Sequence, residues 1–95
     1  MNTAVRVHRD EILRLAREHG AYNLRLFGSM ARGDERSDSD LDMLVEMEAG
    51  RSLIDHMALK QDLEALLGRE VDVVTEKSLH PRIREKVLRE AISLQ

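Results

Sequence analysis

Cysteine and tryptophan are absent from this 95-residue chain, and tyrosine, phenylalanine and proline each occur once. Without cysteine there is no disulfide, no thiol nucleophile and no thiolate metal site, which permits a reducing compartment. An aromatic share of 2% leaves little from which to build a stacking platform for bases or single-stranded RNA. Positive charge is not in excess: 15 Lys and Arg against 18 Asp and Glu give a net charge of −3. A protein that grips a phosphate backbone needs a basic face, so direct nucleic-acid binding is not expected. Long apolar runs are missing as well. The amino terminus, "MNTAVRVHRDEI", interleaves charges with short apolar pieces, unlike a signal peptide or membrane span, and the expectation is a soluble cytoplasmic protein.

What is present is 42% hydrophobic content, enough for one compact domain spanning residues 1–95. Ile12 and Ala16, with Leu13 and Leu15, predict a helix from about Val5 to His19, stopped by Gly20. "YNLRLF", Tyr22 to Phe27, reads as a strand ending at Gly28. Leu41, Met43, Val45 and Met47 alternate with Asp40, Asp42, Leu44, Glu46 and Glu48, the period of two that sends successive side chains to opposite sheet faces. Leu59, Leu63, Leu66 and Leu67 mark a helix capped by Ser52 and stopped by Gly68. "EVDVVT", Glu70 to Thr75, is a third strand rich in β-branched residues. Pro81 opens a last helix running to about Leu94, with Ile83, Val87 and Ala91 on one stripe.

The chemistry concentrates in "GSMARGDERSDSDLDMLVEME", Gly28 to Glu48. On an extended strand Asp40 and Asp42 share a face with Cα atoms about 6.5 Å apart, twice the rise per residue. Two such carboxylates repel unless a cation lies between them, and hard divalent ions such as Mg²⁺ favour oxygen ligands. A bare D-x-D is weak by itself, because an acid-rich loop entering a strand is common. Upstream, however, Gly28-Ser29 follows a strand and precedes "MARG", which could form a helical turn. Backbone N–H groups and the Ser29 hydroxyl could there receive phosphate oxygens. A third acid, Asp72, sits among apolar neighbours in "VDVV". It is either on the polar face of a half-exposed strand or the third member of a carboxylate site.

Gly28-Ser29, ten intervening residues and then Asp40-Leu41-Asp42 resemble the G-S-x10-D-x-D signature of the DNA polymerase beta-like nucleotidyltransferase superfamily. With the following helix, "EVDVV" and the closing "HPRIREKVLREAISL", nearly the whole chain is similar to the minimal nucleotidyltransferase (MNT) proteins. The resemblance implies an α/β (α+β) fold, a small mixed sheet flanked by helices that forms a reduced palm domain. It implies catalytic, metal-binding roles for Asp40, Asp42 and Asp72, and nucleotide binding by Gly28 and Ser29. The implied cofactors are two Mg²⁺ ions, with Mn²⁺ as a substitute, and ATP is the implied substrate. It further implies an antitoxin of a type VII-like pair that transfers AMP to a tyrosine of a HEPN-domain ribonuclease toxin. Two alternatives stay open: an antitoxin that neutralises by binding alone, and an enzyme that nucleotidylates a small molecule, which would normally carry an additional domain.

Other features have plainer readings. "RLAREH", Arg14 to His19, fits the R-x4-H pattern of HEPN ribonucleases, but helical positions five apart diverge by about 140°. His8, His19, His56 and His80 show no metal-ligand spacing and read as solvated or capping side chains. Arg32, in the charged run "RGDERSDSD", could touch substrate or be solvated. Glu46 and Glu48 share a face with Asp42, yet Asp72 is preferred as the third acid because a neighbouring strand can place it level with the pair.

Overall fold

A computed structural model of the chain describes residues 3–28 and 40–94. Ser29 and the charged run from Arg32 to Ser39 lie outside the described residues. Two helices, α1 (Thr3–Val7) and α2 (Arg9–Glu18), lead into strand β1 (Ala21–Phe27). Strand β2 (Leu41–Met47), helix α3 (Leu53–Leu67) and strand β3 (Val71–Val74) follow. A 3-10 turn at Glu76–Ser78, helix α4 (Pro81–Glu90) and strand β4 (Ile92–Ser93) complete the described residues. The sheet order is β3-β2-β1-β4, with β1 antiparallel to β2 and β4, and β2 parallel to β3. This is the mixed sheet flanked by helices that the family resemblance implies.

The two sheet faces bury different things. Leu41, Met43 and Val45 turn to one side, where they pack with Val5, Ile12, Ala16, Leu59 and Leu63, so α1, α2 and α3 cover that face. Leu44 turns to the other, beneath Leu79 and Val87, with Phe27 and Val74 packed alongside. Alternation along β2 and β3 therefore puts Asp42 beside Leu44, and Asp72 beside Val74, on this second and less covered face.

Helix α3 follows its sequence signals. The Ser52 hydroxyl accepts from the Ile54 N–H, the Asp55 carboxylate accepts from the Ser52 N–H, and Gly68 closes the helix at φ 67°. The first and last helices differ from expectation. The predicted Val5–His19 helix is two helices broken at His8, although the Ile12 N–H still donates to the His8 carbonyl. The last helix stops at Glu90 rather than near Leu94, because Leu94 is claimed by the core. Its N–H donates to the Leu24 carbonyl at 2.9 Å and its carbonyl accepts from Arg9 Nε at 2.7 Å. Those contacts pull Ile92 and Ser93 out alongside β1. The expected stripe on α4 is correspondingly narrow: Val87 is buried, Ala91 is half-buried and Ile83 is exposed.

Candidate active site

Parallel pairing of β2 with β3 sets Asp42 directly opposite Asp72. Both point to the second face, where each lies close enough to influence the other's charge. Burial pushes the Asp42 carboxyl above its ordinary value, and the charges of Asp72 and then Asp40, together with the Asp72 hydrogen bond, push it the same way. Asp40 stands just before β2 and is exposed. It acts on Asp42 through charge, and among the described residues no three acidic or imidazole side chains form a closed ligand set. Asp42 and Asp72 are thus assembled and Asp40 lies within electrostatic reach.

Gly28 ends β1 in the left-handed region, φ 74°. A Cβ there would stand 2.5 Å from Asp42 Oδ2, closer than such atoms approach. The glycine admits both the turn and the carboxylate that lies against it. The donor set suits a hard cation: adjacent carboxylate oxygens, a raised pKa that a positive charge would reverse, and no sulfur.

The alternative ligands are engaged elsewhere. Glu46 accepts from Asn23 Nδ2 at 2.6 Å, and Glu48 lies 4.0 Å from Arg51. Arg14 pairs with Glu18, and His19 with Asp62 on α3, so the R-x4-H residues serve separate contacts. His80 caps α4 by accepting from the Arg82 N–H. A cavity of about 320 Å³ lined by Tyr22, Glu46, Thr75 and Glu76 lies toward the far end of β2 from Asp42. Sequence reasoning missed three side chains of α3 that meet β3. His56 Nε2 donates to the Val73 carbonyl at 2.5 Å, Lys60 Nζ donates to the Val71 carbonyl at 2.7 Å, and a Glu64 oxygen accepts from the Val71 N–H at 3.1 Å. Their spacing of four was the available signal.

Residues 6–94 match the family model of the nucleotidyltransferase domain. The chain belongs to that family. This nucleotidyltransferase is 42% identical over 78 residues to the protein adenylyltransferase MntA of Thermococcus cleftensis, covering 82% of this chain and 79% of the relative. A solved structure described as a minimal nucleotidyltransferase superposes with a TM-score of 0.85 at 55% identity, covering 97% of this chain and 95% of the other. A toxin–antitoxin crystal structure with AMP-PNP superposes with a TM-score of 0.76 at 26% identity, covering 92% of this chain and 72% of that one. The mixed sheet with flanking helices is thus the minimal nucleotidyltransferase fold.

Proposed function

We propose that this nucleotidyltransferase acts through one domain as the antitoxin of a toxin–antitoxin pair, transferring AMP from ATP to a tyrosine of a HEPN-type ribonuclease partner. The observation that carries the reading is the placement of Asp42 directly opposite Asp72 and against Gly28. The relative's name, protein adenylyltransferase, and the toxin–antitoxin structure with AMP-PNP support the reaction and the partner class.

In this reading Asp40, Asp42 and Asp72 hold two Mg²⁺ ions, which Mn²⁺ can replace. Bound there, the ions supply charge neutralisation at the α-phosphate and the departing pyrophosphate. Gly28 lets the triphosphate approach the backbone, and the Ser29 hydroxyl donates to a phosphate oxygen. The acceptor oxygen attacks the α-phosphorus, the bond from that phosphorus to the pyrophosphate oxygen breaks, and Asp72 takes the acceptor's proton. The acceptor comes from the partner, and with one tyrosine and one phenylalanine to stack on a base, affinity for the nucleotide rests on cation and triphosphate.

Labelled ATP tests the reaction. With the purified partner and Mg²⁺, α-label should appear on the partner, γ-label should not, and Asp42→Asn should cut transfer by about a hundredfold or more. A partner whose ribonuclease is silenced without acquiring α-label would instead show neutralisation by binding.

A further inference from the structure

Strand β3 forms an edge of the described sheet, so Val71 and Val73, though in register with Leu41 and Met43 of β2, turn their backbone polar groups outward. Those residues flank Asp72. The Leu41 N–H bonds the Glu70 carbonyl inward, whereas the Val71 N–H, Val71 carbonyl and Val73 carbonyl meet Glu64, Lys60 and His56 of α3. Positions 56, 60 and 64 recur every four residues and form one stripe of the helix. A carbonyl can only accept, so His56 Nε2 carries a proton there. Lys60 also reaches the site: its Nζ stands 3.9 Å from Asp72 Oδ1 and 3.1 Å from Glu64 Oε2.

We infer that His56, Lys60 and Glu64 are positioning residues that clip both peptide flanks of Asp72 and hold its carboxylate level with Asp42. The inference rests on the proposed cation-dependent transfer and names the residues that keep its ligands in register. Protection of the edge would by itself require only that its polar groups be covered. Here the same ammonium group that holds the Val71 carbonyl also faces the Asp72 side chain, tying the helix to the acid as well as to the backbone. Because Glu64 lies beside Lys60, the clip adds little net charge at the acids, and its effect is orientation. Partners that orient a metal ligand from behind typically alter affinity by about 10–100-fold.

Lys60→Met keeps the aliphatic stem and removes the donor, while Lys60→Arg keeps a donor. Three quantities separate a positioning role from a structural one: the Mn²⁺ dissociation constant from titration calorimetry, kcat and KM for ATP in transfer to the partner, and the melting temperature without metal. Lys60→Met should weaken Mn²⁺ binding and lower kcat each by about tenfold, with KM for ATP moving less than about threefold, and Lys60→Arg should recover most of both. Glu64→Gln, which frees Lys60 from its carboxylate neighbour, should shift both in the same direction by a smaller factor. If Lys60→Met lowers only the melting temperature, the stripe merely protects the edge and the inference falls. Tighter Mn²⁺ binding in Lys60→Met would show Lys60 to be a competing cation, which also overturns it. A wild-type protein that binds no Mn²⁺ would sink the proposed function and this inference with it, an outcome distinct from failure of the variants alone.

Discussion

Asp42 sits where burial and acidic neighbours oppose its charge. Its carboxyl is held above its ordinary value by burial first, then by Asp72 and Asp40. For an acid, a raised folded-state value means that the fold favours the protonated form. The penalty is therefore absent below the unfolded value near 3.8, grows as pH rises through the folded value, and is complete above it. Asp42→Asn removes that penalty. In metal-free protein at pH 7 it should raise stability by about 0.5 kcal/mol after solvent screening. That corresponds to a melting temperature higher by about 2–4 °C, and the gain should vanish near pH 3. Gly28→Ala acts oppositely, since the methyl group meets Asp42 Oδ2 and the backbone is left-handed. It should cost about 1–2 kcal/mol in thermal melts and abolish transfer. The acids were legible because strand alternation alone puts Asp42 on the face away from Leu41 and Met43. Lys60 was not, because the spacing of four that puts it on one stripe with His56 and Glu64 does not say that the stripe meets β3, and its reach to Asp72 depends on how α3 lies across that strand.

Among elements, those with strong terminal signals were legible and those decided by distant packing were not. Ser52, Asp55 and Gly68 specify α3 through short-range hydrogen bonds and a left-handed closing residue, all readable within the helix itself. The end of α4 depends instead on Leu24 and Arg9, which lie far away in sequence and bind the two backbone polar groups of Leu94. A helical pattern continuing through Ala91 lost to the burial of one leucine, and a two-residue strand formed in place of another helical turn. Leu94→Ala should accordingly cost about 2–4 kcal/mol in chemical denaturation, as for other fully buried leucines. Asp42 on β2 and Asp72 on β3, with Asp40 just before β2, are separated from β4 by β1 in the sheet order, so metal binding by the surviving folded fraction should stay within about twofold of wild type. The bulge between Tyr22 and Arg25, where Asn23 adopts φ 52°, was equally hidden in "YNLRLF". Asn tolerates that conformation, but its presence does not announce it.

At the scale of the whole molecule, one sheet separates two tasks. The face under α1, α2 and α3 holds most of the apolar core, while the face under α4 leaves Asp42 only partly covered beside a smaller cluster. That division lets a small chain fold around its leucines and still present acids to a substrate. The net charge of −3 and the scarcity of aromatics leave little for base stacking or backbone attraction, and in the proposed function recognition falls instead to cation, triphosphate and protein partner. No helix among the described residues is long and apolar enough to cross a membrane. If the Asp42–Asp72 pair serves the modification of a protein partner, the intact mass of that partner after co-expression reports it. Beside the wild-type chain the partner should carry one or more adenylyl groups, and beside Asp42→Asn it should co-purify at its unmodified mass. A partner that is equally unmodified in both complexes, or equally adenylylated in both, would contradict the account.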